Sequence, residues 1–226
     1  MEKRDNEEIE ILRKIVEESN NIVGFTGAGI STESGISDYR SKGGIWDRFT
    51  PIYFQEFLED ESKRLEYWKR RMEMWPSIRD AEPNKGHLFF KTLYDRGKLL
   101  GIITQNIDGL HERSGVPEDR LVNIHGTGLY IRCLSCNKRV PSEEIAETID
   151  LEGAGAPRCS ECGGLLKPDT ISFGQELRPE ELEKAREYSV SCDAMICFGS
   201  TLIVYPAAHF PELAKRNGAR LAIVTQ

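Results

Sequence analysis

No stretch of the 226 residues approaches the ~20 consecutive apolar side chains that a membrane-crossing helix requires. The opening Met1-Glu2-Lys3-Arg4 is charged and contains no apolar signal-peptide core, so the cytoplasm is the expected compartment. An excess of basic charge is also missing. Thirty Lys and Arg stand against 37 Asp and Glu, a net charge of −7, the reverse of what a generic nucleic-acid-binding protein carries. Internal repeats and low-complexity segments are absent. Cysteines number only six and fall mostly in pairs, which argues against a disulfide framework in a chain with no export signal. What remains is the profile of a globular domain, 39% hydrophobic and 30% charged, long enough for one domain with an insertion.

Buried strands and amphipathic helices alternate along much of the chain. Ile9, Leu12 and Val16, widened by Ile11 and Ile15, give helical spacing over 7–18. Asn21 to Thr26, Leu99 to Thr104, Ala194 to Phe198 and Leu221 to Val224 are short continuous apolar runs. Such runs separated by helices predict a parallel sheet covered on both faces. Leu65, Trp68, Met72 and Trp75 share one helical face, with Pro76 as the expected stop. That stripe reads as core packing, or alternatively as a lid over a groove. Helices are further expected over 86–96, closed by Gly97, and before Asn217-Gly218.

Residues 127–168 break the rhythm. They contain Cys133-x-x-Cys136 and, 22 residues later, Cys159-x-x-Cys162. Two such knuckles fit tetrahedral Zn²⁺, and four thiolates leave no open position, so the metal is expected to be structural. Cys192 and Cys197 flank a strand and read as small buried hydrophobes.

Gly27-Ala28-Gly29 follows the first strand, where glycines allow a tight turn and close approach to a pyrophosphate. Thr32 occupies the place of the third glycine of the dehydrogenase fingerprint, so that pattern fails. Asp38, Tyr39 and Arg40 follow, and Arg40 could fork onto phosphate oxygens or form a surface ion pair. Gln105-Asn106-Ile107-Asp108 lies just past the second strand, where ligands of open parallel sheets bind. The same residues could simply cap the next helix. Of the four histidines, His87 and His111 read as structural and His209 as a packing or surface residue. His125, between Ile124 and Gly126, is set apart. It could take a proton at neutral pH or be structural.

These segments together resemble the sirtuin family of NAD-dependent protein deacylases. The resemblance runs from about Ile22 to the C-terminus and rests on Gly27 to Ser31, Gly35 to Arg40, Thr104 to Asp108, His125-Gly126, the four cysteines, Phe173-Gly174 and Gly199 to Thr201, in the family's order. It implies one catalytic domain over 1–226 with a Rossmann-like sheet. A helical module at 43–85 and a zinc module at 127–168 would be inserted in it. NAD and an acyl-lysine protein or peptide would meet in the cleft between the parts, with no membrane or nucleic-acid partner. By the same resemblance Gly27, Ala28, Gly29 and Ser31 would line the phosphates with Arg40. Asp38 and Tyr39 would lie on the cofactor loop, Tyr39 in place of the usual Phe. Gln105 and Asn106 would order the nicotinamide ribose, Asn106 taking part in catalysis. Ile107 and Asp108 would hold the carboxamide, and Gly199, Ser200 and Thr201 the adenosine side. His125 would be the general base. Phe173 and Gly174 would pair with substrate backbone, and Ile171 would lie near the acyl group.

The implied products are free lysine, nicotinamide and an O-acyl-ADP-ribose. Mono-ADP-ribosyl transfer from the same pocket, or a non-catalytic zinc- and NAD-binding module, are the alternative readings. Gln175 stands for the usual Glu, and Ser200-Thr201 inverts the usual pair. Tyr67-x-x-Arg70 has the spacing of an acidic-acyl selector found in desuccinylase-type relatives, but acetyl or short acyl groups are the expectation. The resemblance also implies a ribose-contacting Asn, a strand and a helix after Thr225-Gln226, so the chain reads as shortened there.

Overall fold

A computed structural model describes residues 2–224, with side chains from residue 7 onward. Thr225-Gln226 lie outside the described residues. The elements run α1 (Glu2–Glu18), β1 (Ile22–Thr26), a 3₁₀ turn (Ala28–Ser34), α2 (Ile45–Arg48), α3 (Phe54–Glu59), α4 (Glu61–Asp80), α5 (Lys85–Asp95), β2 (Leu99–Thr104) and α6 (Leu110–Arg113). They continue with β3 (Leu121–Asn123), β4 (Gly126–Cys133), β5 (Arg139–Pro141), α7 (Ser142–Thr148), β6 (Leu166–Thr170), α8 (Pro179–Ser191), β7 (Ala194–Phe198), α9 (His209–Arg216) and β8 (Arg220–Val224). Among the described residues no helix is long and apolar enough to cross a membrane.

Five strands form a parallel sheet in the order β3-β2-β1-β7-β8. Strand alternation sorts its side chains to two cores. Val23, Phe25, Ile103 and Met195 face Ala185 of α8 and Phe210 and Ala214 of α9. Ile22, Ile102 and Ile196 face Leu12, Ile15 and Val16 of α1 and Phe90 and Leu93 of α5. Helices thus cover both faces, as continuous apolar strands require. Gly24 is part of this fit, since a Cβ there would lie 2.6 Å from the Phe90 ring.

Two expectations change. Ile9 and Ile11 are 57% and 61% exposed, so the α1 stripe is narrower than its apolar residues suggest. Pro76 lies inside α4 rather than ending it. A proline removes one helical hydrogen bond, and the turn beyond it is held from outside. The Arg113 guanidinium donates to the carbonyls of Ile78 (2.8 Å), Arg79 (3.0 Å) and Ala81 (2.8 Å). Trp68 of the same stripe is fully buried with Phe57, Ile52 and Ile131.

The remaining strands form a second sheet, β5-β4-β6, antiparallel throughout. β4 begins at Gly126, so the residue before it, His125, joins the two sheets. The amide of Ile171, just past β6, donates to the His125 carbonyl at 2.8 Å. Asp169 fixes this junction. Its carboxylate is buried and accepts from Arg132 at 2.6 Å, from Arg139 at 2.9 Å and from Arg178 ahead of α8. Arg178 therefore ties the small sheet to the large one.

Candidate active site

Three loops leave the carboxyl ends of the large sheet side by side. Thr26 pairs with Thr104 on one side and with Phe198 on the other, so residues 27–40, 105–109 and 199–201 start at one level. β1 is followed by neighbours on one side, while β7 and β8 lie on the other. The crevice between β1 and β7 is thus the topological switch point, the ligand position of such sheets.

Glycines hold that crevice together. The Gly29 amide donates to the Gly199 carbonyl at 2.9 Å and the Gly27 amide to the Phe198 carbonyl at 3.0 Å. A Cβ on Gly199 would lie 2.1 Å from the Ile30 nitrogen, and its φ of +59° is left-handed. One on Gly29 would lie 2.8 Å from the Gly199 Cα. The glycines are thus needed for loop-on-loop packing, whatever they also do for a phosphate. Gly199→Ala combines a clash with αL strain, and we expect a loss of roughly 2–5 kcal/mol of stability. Gly97→Ala, at φ +67° with nothing within 4 Å of its Cβ, is the control and should cost only about 1–2 kcal/mol in urea melts. The segment after Gly27 is a 3₁₀ turn.

A buried polar cluster lines the crevice. The Ser31 hydroxyl donates to Asp108 Oδ2 at 2.8 Å and accepts from Asn106 Nδ2 at 3.1 Å. Asp108 Oδ1 accepts from the Leu110 amide at 2.9 Å, so this carboxylate also caps α6. Gln105 Nε2 donates to Ser200 Oγ at 2.8 Å, closing the loops over β1. Ala28 lies in the 3₁₀ turn, Ile107 is half-buried with its carbonyl on the Gly128 amide, and Thr201 is exposed.

His125 Nδ1 lies 3.1 Å from the Gln105 carbonyl. A carbonyl only accepts, so Nδ1 carries the proton and Nε2 keeps its lone pair. Burial lowers the imidazole pKa and the Gln105 carbonyl only partly opposes that, leaving it below the usual value. The ring is therefore neutral at pH 7. Gly126 allows the arrangement, since a Cβ there would lie 2.2 Å from the Asp169 carbonyl.

Asp38 is used inside its own loop. Oδ1 accepts from the Arg40 and Ser41 amides at 2.9 and 2.8 Å, and Oδ2 from the Ser41 hydroxyl at 2.5 Å. Burial pushes its pKa up, but these bonds, the Ser41 hydroxyl foremost, outweigh it and leave the pKa lowered. The Arg40 side chain is exposed and makes no hydrogen bond among the described residues. Tyr39 stacks 5.0 Å from Trp46, which lies 5.8 Å from Phe173, itself 6.0 Å from Tyr53. Burial, then the Asp108 charge, pushes the Tyr39 phenol up to about 12. Arg70 is committed elsewhere. It binds the Thr50 carbonyl and Glu66 and lies 5.1 Å over the Phe49 ring.

His87 and His111 are buried beneath the site, with ring centres 5.0 Å apart. His111 Nε2 is 2.9 Å from the Thr26 hydroxyl, which donates to Thr104 Oγ1 at 2.8 Å. Burial, then the His87 charge, holds His111 down to about 3, and burial lowers His87 as well. The unfolded imidazoles take protons near pH ~6.5. Their contribution to stability is complete above that pH and is lost as pH falls toward 3. The melting temperature should drop across this window, and His111→Asn should flatten the slope.

The four cysteines meet at the far end of β4 and β6. Their sulfurs lie within 4.8 Å of one another, with Cys133–Cys162 at 3.5 Å and Cys136–Cys159 at 3.7 Å. Zn–S bonds of about 2.3 Å in a tetrahedron require sulfur separations near 3.8 Å, so the residues fit zinc.

A family model for the Sir2 family matches residues 27–206, most of the chain. The chain belongs to the Sir2 family. An NAD-dependent protein deacetylase 1 of Bradyrhizobium diazoefficiens is 44% identical over 218 residues, covering 96% of this chain and 85% of that protein. An NAD-dependent protein deacylase 1 of Archaeoglobus fulgidus is 37% identical, covering 94% of this chain and 84% of that one. A solved Sir2 complex with a p53 peptide and NAD⁺ superposes with a TM-score of 0.83 at 33% identity, covering 94% of this chain and 84% of that one. The Sir2 membership agrees with the order of motifs in the sequence. Local sequence did not reveal the Thr26–Thr104–His111 chain, whose members are 78 and 85 positions apart.

Proposed function

We propose that this Sir2 protein is an NAD-dependent protein-lysine deacetylase, moving the acetyl group from lysine to ADP-ribose with release of nicotinamide. The observation that carries the reading is a neutral His125 with a free Nε2, held by the Gln105 carbonyl next to the Ser31–Asn106–Asp108 cluster. The residues suit NAD. Arg40, whose side chain makes no hydrogen bond among the described residues, offers a cation for phosphate oxygens, joined by Gly27, Ala28, Gly29 and Ser31. The Asp108 carboxylate has lone pairs left for an amide N–H, with Ile107 beside it. Gln105 and Asn106 orient the ribose, and Gly199, Ser200 and Thr201 face the adenosine. Asp38 shapes the loop that carries Tyr39.

NAD, when bound, supplies an anomeric carbon from which nicotinamide departs. The chain aligns the acyl oxygen with that carbon, chiefly through Ile171 and the backbone of Phe173 and Gly174. The Phe173 carbonyl already accepts from the Phe54 amide at 2.9 Å, which leaves the amides of Phe173 and Gly174 for a substrate strand. His125 Nε2 then takes a proton from a ribose hydroxyl. Zinc, which Cys133, Cys136, Cys159 and Cys162 would hold, would have a structural part only. In this reading residues 43–85 and 127–168 are modules inserted in one catalytic domain.

The test is incubation with NAD and an acetyl-lysine peptide. One acetyl group lost per nicotinamide released supports deacetylation. Label passing from NAD to protein would support ADP-ribosyl transfer, and no turnover would leave a binding module.

A further inference from the structure

The small sheet carries a groove that the proposed chemistry does not use. A cavity of about 770 Å³ lies between α7 and the loop leading to Cys159. Val140, Ile145, Ile149, Ala156 and Leu166 form its apolar lining. Glu144, Glu147 and Asp150 stand along one wall of the groove, with Lys138 and Arg158 on the other. From Val140 to Pro157 the chain holds Glu143, Glu144, Glu147, Asp150 and Glu152 and no lysine or arginine. All five carboxylates are exposed. Among the described residues Glu144, Glu147, Asp150 and Glu152 have no ion-pair partner. Of the two cations on the opposite wall, Lys138 is offset by a carboxylate and Arg158 is held by a carbonyl that leaves its charge in place. Lys138 pairs with Glu161 at 2.8 Å, and Arg158 donates to the Gly163 carbonyl at 3.2 Å.

The groove wall starts near the active site. The Ser142 hydroxyl, at the start of α7, donates to the Gly128 carbonyl at 2.6 Å, three residues past His125. Seven helical residues advance roughly 10 Å, about three residues of extended chain. A peptide with its acyl-lysine at His125 could lay a neighbouring segment along α7.

We propose that this groove docks a basic segment of the substrate protein, an apolar side chain flanked by lysine or arginine, a few residues from the acyl-lysine. The inference rests on the deacetylase reading for the identity of the partner. Unpaired carboxylates around an apolar floor match such a segment in charge and in polarity. Their attraction is screened by salt, whereas that of the apolar floor is not.

The test compares a short neutral acetyl-lysine peptide with the same peptide extended by a tail of lysines and arginines around one leucine. The wild type should show a KM about 10-fold lower for the tailed peptide, with the same kcat, and most of that preference should vanish in 0.5 M salt, about where screening reaches a few ångströms. Glu144→Gln/Glu147→Gln should abolish the preference and leave the short peptide unchanged. Equal constants for both peptides in the wild type, or equal effects of the variant on both, would overturn the proposal. So would a dimer that the same substitutions split in sedimentation, since the face would then bind a second copy. Binding of the unacetylated tail, read by fluorescence anisotropy, needs no turnover. Tail binding lost in the variant but without any deacetylation would count against the deacetylase reading alone.

Discussion

His125→Ala should lower deacetylation by about 10²–10⁴-fold, the range for a positioned general base, and leave NAD affinity within a few-fold of the wild type. Among the described residues the His125 ring makes one hydrogen bond, to the Gln105 carbonyl. Its loss removes proton transfer without dismantling the Ser31–Asn106–Asp108 cluster or the glycine contacts, which involve other residues. The pH profile supplies an independent reading. Only the neutral ring can take a proton, and burial holds this imidazole below its usual pKa. Activity should therefore persist as pH falls to ~6.5 and decline only below it, where an unperturbed histidine would already be half protonated. An acid limb centred above pH 6.5 would contradict the neutral, buried ring, and unchanged turnover in the alanine variant would contradict the role.

Removal of zinc should have an equally large effect, through structure. β4 and β6 run from the cysteines at one end to His125 and Ile171 at the other. Cys133 and Cys159 belong to the same buried cluster as Phe57, Trp68 and Ile131, so the metal would also support packing against α3 and α4. Structural zinc contributes about 10–16 kcal/mol of apparent binding free energy, comparable to or larger than the 5–15 kcal/mol that holds a typical domain folded. Chelation, or Cys136→Ser, should lower the melting temperature steeply, release one zinc per chain and abolish deacetylation. Cys192→Ser should keep the metal, because that thiol lies in the other core. A zinc-free protein with unchanged melting and activity would refute the structural role.

Much of the fold was legible because β1, β2 and β7 are buried on both faces, although the edge strand β8 leaves Ile223 51% exposed. Ile22 to Thr26 and Ala194 to Phe198 are continuous apolar runs, and nothing in their neighbourhood competes with that signal. The four-cysteine centre was equally plain from spacing. Elements whose stability comes from distant partners were not. Pro76 marks a helix end by local rules, yet Arg113, 37 positions away, holds the following turn. β4 contains Gly126, Thr127 and Gly128 and shows little alternation, so its start at the histidine was hidden. In the site, Asp38 reads from sequence as a cofactor-loop residue, whereas its carboxylate is spent on the amides of its own turn. Arg70 shares a spacing with an acyl selector, but the Thr50 carbonyl and Glu66 claim it. Motif spacing identifies which residues are present; the hydrogen bonds made in the fold, within a turn or across it, decide which of them remain free.

The central claim is that NAD and the acyl-lysine meet at His125. A crystal structure with an unreactive NAD analogue and an acetyl-lysine peptide tests it most directly. The account predicts a nicotinamide-ribose hydroxyl about 2.6–3.2 Å from His125 Nε2, with the phosphates over Gly27 to Ser31. A dinucleotide bound away from these loops, or a ribose out of reach of that nitrogen, would contradict it.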